Sequence, residues 1–249
     1  MIGAFIGFYG ITFLNLSFIP ALILAMVVCS ILGMLIERVA YRRLRRSTRI
    51  AALITAIGVS LFIQYIMIYF RGATPEAYPD IVPRQNIEFL GVKFNSQALF
   101  ILLITIILMI LLQYIVHRTK IGKAMRAVSL DMDAARLMGI NVDNTISATF
   151  AIGSALAGAA GVIFGMYYTS IDPLMGLLPG IKAFVAAVLG GIGIIPGAMV
   201  GGFILGIVET GVSALGYSNW RDAAAFIILI LILIFRPSGI FGKITREKV

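Results

Sequence analysis

Apolar residues dominate the chain and fall into runs separated by short charged or glycine-rich stretches. Leu16–Leu35, Ile50–Phe70, Ala98–Val116, Ile146–Tyr168, Ala198–Leu215 and Ala223–Phe235 read as membrane-spanning helices, since a hydrocarbon core of roughly 30 Å takes about 20 apolar residues. Two runs are shorter. Ile2–Leu14 covers only about 20 Å at ~1.5 Å per residue, and lacks the basic start of a signal peptide. Ile181–Leu189 is interrupted by "GGIGIIPG", with Gly190, Gly191, Gly193 and Pro196. We expect this segment to cross, although a re-entrant path also fits. Between the second and third long runs, "IEFLGVKF" reads as a hairpin around Leu90-Gly91 in a loop stiffened by Pro75, Pro79 and Pro83. Pro237-Ser238-Gly239 reads as a turn after the last span.

Charge gives these runs an orientation. Arg38, Arg42, Arg43, Arg45, Arg46 and Arg49 crowd the end of the first long run, and Arg118, Lys120, Lys123 and Arg126 follow Val116. Basic loops stay in the cytoplasm. Residues 118–144 are therefore expected inside, and the balanced loop 71–96 outside. If the short segment crosses, the basic C-terminus lies inside too. The composition agrees: 60% of the 249 residues are hydrophobic and 12% charged, too apolar for a soluble domain of this length. The net charge of +9 is explained by basic cytoplasmic loops before nucleic-acid binding. One cysteine, Cys29, excludes an internal disulfide. With His117 as the lone histidine, a metal site has almost no ligands to draw on. We expect no cofactor, no metal and no soluble domain, and read 1–249 as one transmembrane domain.

"LDMDAARLMG" stands out on the cytoplasmic side. Ser129 is placed to cap a short helix, with Asp131 and Asp133 near its positive N-terminal end and Gly139 in the left-handed position that stops it. Leu130, Ala134, Leu137 and Met138 share a face, and Ala135 adds little bulk. From the residues alone, this is either a partner's docking helix or an interfacial helix lying on the ends of its own spans.

Asp133-Ala134-Ala135, three further residues and then Gly139 resemble the coupling-loop motif of ABC importer permeases. Aspartate stands where that family has glutamate, and the proline of the longer motif is missing. "RVAYRRLRRSTRIAALITAIGVS", "GKAMRAVSLDMDAARLMGINVD", "GIKAFVAAVLGGIGIIPGAMVGGFILGIVE" and "RPSGIFG" together resemble the branched-chain amino acid permeases over nearly the whole chain, and the first of their two paired permeases more than the second. The resemblance implies an all-α polytopic bundle in the inner membrane with a short cytoplasmic coupling helix. It implies an importer of branched-chain or related amino acids with two soluble ATPase subunits, a second homologous permease and an extracytoplasmic binding protein. Coupling would fall to Ser129, Asp133, Ala134, Ala135 and Gly139. The chain has no phosphate loop of the G-x-x-x-x-G-K-[ST] type, so ATP hydrolysis is expected in the partners, with no catalytic residue here. Against the family pattern, an additional N-terminal hydrophobic region is expected before Met1.

An ion-coupled secondary transporter or channel is the competing reading. It calls for inverted repeats and paired broken helices, and one broken segment is visible. A purely structural membrane subunit is a third. Gly190, Gly191, Gly193 and Pro196 are candidates for the translocation path, because broken backbone at membrane depth lines a cavity or is buried in protein. Glu209 joins them as an ionisable group within a span, with a structural hydrogen bond or an interfacial position as the plainer reading. Lys182 can snorkel to the interface or meet a substrate carboxylate. Gly161/Gly165 and Gly202/Gly206, each four apart, read as close helix contacts.

Overall fold

The computed structural model describes residues 1–44, 47–79, 81, 86–89, 92–236 and 238–242, of which 49, 86–89 and 92–94 by backbone only. Arg45, Arg46, Pro83, the Leu90-Gly91 turn and Pro237 lie outside the described residues. The chain forms two compact units, Met1–Met175 and Gly176–Val249. Among the described residues, six helices are long and apolar enough to cross a membrane: Phe18–Leu44, Ile50–Arg71, Ser96–Arg118, Val142–Tyr168, Ile195–Ala214 and Ser218–Phe235. The chain is a multi-pass membrane protein built of helices.

The first unit holds α1 (Ile2–Thr12), α2 (Phe18–Ile36), α3 (Arg49–Arg71), α4 (Ser96–Arg118), α5 (Lys120–Leu130), α6 (Met132–Leu137) and α7 (Val142–Tyr168). Short polar side chains set most of the helix starts. Thr48, Asn95, Thr119, Asp131 and Asn141 each accept a hydrogen bond from a backbone N–H of the first turn. Beyond α2 the backbone widens into a π-turn, Glu37–Tyr41, and tightens again at Arg42–Leu44.

Small residues on α7 let α1 and α2 come close. A side chain at Gly3 would overlap the backbone of Gly158, and one at Gly33 would overlap Ser154. A Cβ on Gly161 would stand 3.0 Å from the Ala4 nitrogen, so the expected close contact at this glycine is present. Gly165 is closed differently, against Ile171 and the Tyr78 ring. Ala4, Phe5, Leu22, Ala25, Val162 and Met166 form the core between these helices.

Two small β-ladders join the loops. β1 (Glu76–Ala77) pairs antiparallel with β4 (Ser170–Ile171). β2 (Asn86–Phe89) pairs with β3 (Val92–Asn95), Phe89 opposite Val92, which is the register of the expected two-residue hairpin. The buried Gln97 amide donates to the Met166 carbonyl at 2.8 Å and holds the start of α4 against α7.

The second unit is α8 (Leu177–Gly190), α9 (Ile195–Ala214) and α10 (Arg221–Phe235) around Val185, Leu205 and Ala225. α8 and α9 make an antiparallel hairpin closed by glycine. A Cβ on Gly190 would overlap the Gly197 carbonyl, and one on Gly201 would overlap the Ala186 carbonyl. The expected contact pair Gly202/Gly206 is corrected here. Gly202 meets only the Ala186 Cβ at 3.8 Å and Gly206 meets nothing within 4 Å. Successive residues are ~100° apart on a helix, so the Gly201 face packs and the Gly202 face does not.

Candidate functional site

The segment 120–141 is built as a corner, a short helix and a stop. Gly122 lets α5 pass across the end of α4, because a side chain there would overlap the carbonyls of Ile115 and Val116. Arg126 donates to the Val116 carbonyl and holds that crossing. α5 runs on through Ser129, whose hydroxyl donates to the Arg126 carbonyl at 2.8 Å. The expected cap at Ser129 is therefore corrected to Asp131. Asp131 has extended backbone and accepts from the Asp133 and Ala134 amides at 2.8 and 3.0 Å. Those two hydrogen bonds hold its carboxyl below the usual carboxylate range. At the other end Gly139 takes φ +81°, as expected. Its amide donates to Arg136 and the Ile140 amide to Ala135, at 2.9 and 3.0 Å. This pair of bonds is a Schellman stop.

The faces of α6 differ from the expectation in one respect. Ala135 is buried at 4% exposure, whereas Ala134 is exposed. Leu130, Leu137 and Met138 project outward at 88%, 89% and 83% exposure. Asp133 and Arg136 pair with each other at 3.2 Å on the exposed surface, where such pairs contribute little.

The structure separates the path candidates. Gly190 and Gly191 are buried in a joint. The Gly191 amide donates to Ala187 and Val188, and the Ile194 amide to Gly191. The C-terminal turn closes over this end: the Ile240 amide donates to the Leu189 carbonyl at 2.9 Å, and the Phe241 amide to the Gly190 carbonyl at 3.3 Å. Gly239, at φ +79°, lies against Gly191 so closely that a Cβ would stand 2.5 Å from its Cα. The N–H groups of Gly191 and Ile194 thus bond inward, within the joint. Gly193 and Pro196 remain exposed on the turn.

Glu209 sits at the opposite end of the same hairpin, twelve residues and ~18 Å along α9 from Gly197. Its buried carboxylate lies 2.9 Å from Lys182 Nζ and 3.1 Å from Arg221 Nε, and Lys182 also meets Asp222 at 2.6 Å. The ends of three helices are thus joined by a balanced quartet of charges. This is how an ionisable group is kept in an apolar helix.

A family model described as "Branched-chain amino acid transport system / permease component" matches residues 1–234. The chain belongs to this family. The permease is 42% identical over 262 residues to the high-affinity branched-chain amino acid transport system permease protein BraD of Pseudomonas aeruginosa, covering 100% of this chain and 85% of the relative. It is 42% identical over 229 residues to LivH of Escherichia coli K12, covering 90% and 74%. It is 28% identical over 234 residues to a probable LivH of Methanocaldococcus jannaschii, covering 88% and 74%. No solved structure matches significantly.

The permease is thus a transport component of an ABC importer complex, not an enzyme. Among the described residues, no three His, Cys, Asp or Glu side chains gather as a metal site. Residue patterning missed two features of the permease. Glu37, just before the run of arginines, carried no role in the residue pattern, yet it is fully buried. Asp131, two residues after an equally good capping serine, carried no role beyond its charge. Its only signal was position: aspartate before a six-residue helix.

Proposed function

We propose that the permease imports branched-chain or related amino acids as the membrane half of an ATP-driven complex, and that α6 is where a soluble ATPase docks. The observation that carries this reading is the outward projection of Leu137 and Met138 at the end of a short helix fixed at both ends, with Leu130 exposed at the end of α5 just before it. Apolar side chains that leave the protein on a charged, capped loop fit a hydrophobic groove in a partner. The partners are two soluble ATPases, a second homologous permease and an extracytoplasmic binding protein that delivers the amino acid. ATP binding would draw the ATPases together and move Ser129–Gly139, and the spans would change access around a path shared with the second permease. Aspartate at 133 keeps the carboxylate of the family motif at the helix start.

Replacing Leu137 and Met138 together by Asp should lower ATPase copurification about tenfold, as losing a docking anchor does. Both side chains are exposed, so the variant should accumulate normally in the membrane. Unchanged association and uptake would return α6 to an interfacial helix.

The orientation rests on the basic clusters. The β1–β4 pairing places the 71–96 loop and the turn after α7 on one side of the first unit, as this topology requires, whichever side that is. A cysteine at exposed Ala77 should react with an impermeant thiol reagent from outside in intact cells, and one at exposed Ser129 should not. The reverse pattern would invert the topology.

A further inference from the structure

α2 and α7 meet along a stripe that runs the length of both. On α2 and the turn after it the stripe is Ala25, Cys29, Gly33, Glu37 and Tyr41, each four residues on. On α7 it is Asp143, Ser147, Phe150, Ser154 and Gly158, at helical spacing. The helices run antiparallel: a Cβ on Gly158 would stand 2.9 Å from the Cys29 sulfur, Gly33 lies against Ser154, and the Tyr41 and Phe150 rings are 5.1 Å apart.

The end of this stripe nearest α6 is polar. Ser147 Oγ–H donates to the fully buried Glu37 carboxylate at 2.5 Å. At the exposed edge of the stripe the Arg42 guanidinium donates to Asp143 at 2.6 Å, a surface pair that adds little by itself beside the buried Glu37–Ser147 bond. Asp143 is the second residue of α7, and α6 ends five residues before α7 begins. Small residues already join the two helices higher up. A buried carboxylate adds no packing that an apolar residue would not give, and its desolvation is costly. What directed polar bonds add is register. Glu37 also opens the π-turn Glu37–Tyr41, a distortion that recurs at functional positions.

We infer that Glu37 and Ser147, with Arg42 and Asp143, pin α2 to α7 beside the docking helix, so that movement of α6 carries both helices as one lever. Glu37 and Ser147 are positioning residues: they act through the helices they hold. The inference rests on α6 being the ATPase contact.

The test uses the assembled complex, reconstituted in vesicles, with Cys29→Ser as background. Arg42→Cys and Asp143→Cys are joined by a short bifunctional thiol reagent. A lever that moves as one body keeps its uptake after linking, or gains some. Two helices that slide past each other lose uptake while ATP hydrolysis continues, and that result overturns the pin. Glu37→Ala should keep the ATPase bound and hydrolysing, with uptake per ATP lowered about tenfold, as expected when a buried charged hydrogen bond is removed. Ser147→Ala, which keeps volume and charge, should show a smaller fall in the same ratio and serves if Glu37→Ala does not accumulate. An unchanged ratio in both refutes the lever alone. A wild-type permease that retains no ATPase refutes the docking reading itself.

Discussion

Gly139 and Gly191 each end a helix in backbone that favours glycine, at φ +81° and +106°. A side chain grown on Gly139 would find nothing within 4 Å, whereas one on Gly191 would stand 2.9 Å from the Gly242 nitrogen and 3.2 Å from the Ser238 carbonyl. The first glycine frees a helix end that faces outward with apolar neighbours. The second lets two pieces of backbone from distant parts of the second unit touch. The same helix-ending glycine thus stands at an open helix end in one case and in a joint closed by returning backbone in the other. The pattern of glycines does not tell them apart. The returning chain does, and here that chain is the 238–242 turn donating to the last carbonyls of α8.

The harshest way to break this contrast is bulk. Gly190→Val should drive a branched side chain into the Gly197 backbone, at a cost of roughly 3 kcal/mol. Gly139→Ala meets open space, and its left-handed backbone costs about 1–2 kcal/mol confined to the stop of α6. Thermal unfolding in detergent should show a large drop in midpoint for the first and a clearly smaller one for the second. Equal drops would mean that the α8–α9 joint is looser than described.

A finer cut uses adjacent glycines. Gly201→Ala should destabilise by about 1–3 kcal/mol, because its Cβ falls on the Ala186 carbonyl. Gly202→Ala finds its nearest neighbour at 3.8 Å and should stabilise α9 by about 0.5–1 kcal/mol through lost chain entropy. Opposite signs from neighbouring positions, read in the same melts, are the signature of this packing face. The same sign for both would contradict it.

These pairs also show what the sequence could and could not carry. The spans were legible because an apolar run of about twenty residues has few other uses. The stop at Gly139 was legible because the left-handed position narrows the choice of residue. The glycine contacts were half legible. "GG" at 201–202 offers two helix faces, and only the partner helix selects one. Capping was misread for a similar reason. Serine and aspartate two apart are equally good N-caps, and the choice depended on α5 continuing through Ser129 under the hold of Arg126 on the end of α4. Glu37 was illegible because burial is settled by α7, more than a hundred residues away. Glu209 was legible as an ionisable group within a span, but Lys182 and Arg221 could be named as its partners only from the fold.

The smallest expected effect lies at Asp131 and sharpens the contrast from the side of α6. The α8 joint is tied down by backbone bonds from the C-terminal turn. α6 instead depends at its start on one exposed carboxylate. Asp131→Ala should leave the Asp133 and Ala134 amides without their acceptor, so amide hydrogen exchange should quicken over Met132–Leu137 while α8 is unchanged. Asp131→Asn keeps an acceptor and should fall between the two. The pH dependence follows from linkage. Asp131 is held below its ordinary range when folded, so its contribution is complete above the unfolded value of about 3.9 and fades as pH falls through the lower folded value. Exchange over α6, corrected for its intrinsic pH dependence, should therefore be level from pH 7 to 5 and rise only in stronger acid, and Asp131→Asn should remove that rise. A rise already present between pH 7 and 5, or one that survives in the Asn variant, would assign the start of α6 to some group other than Asp131.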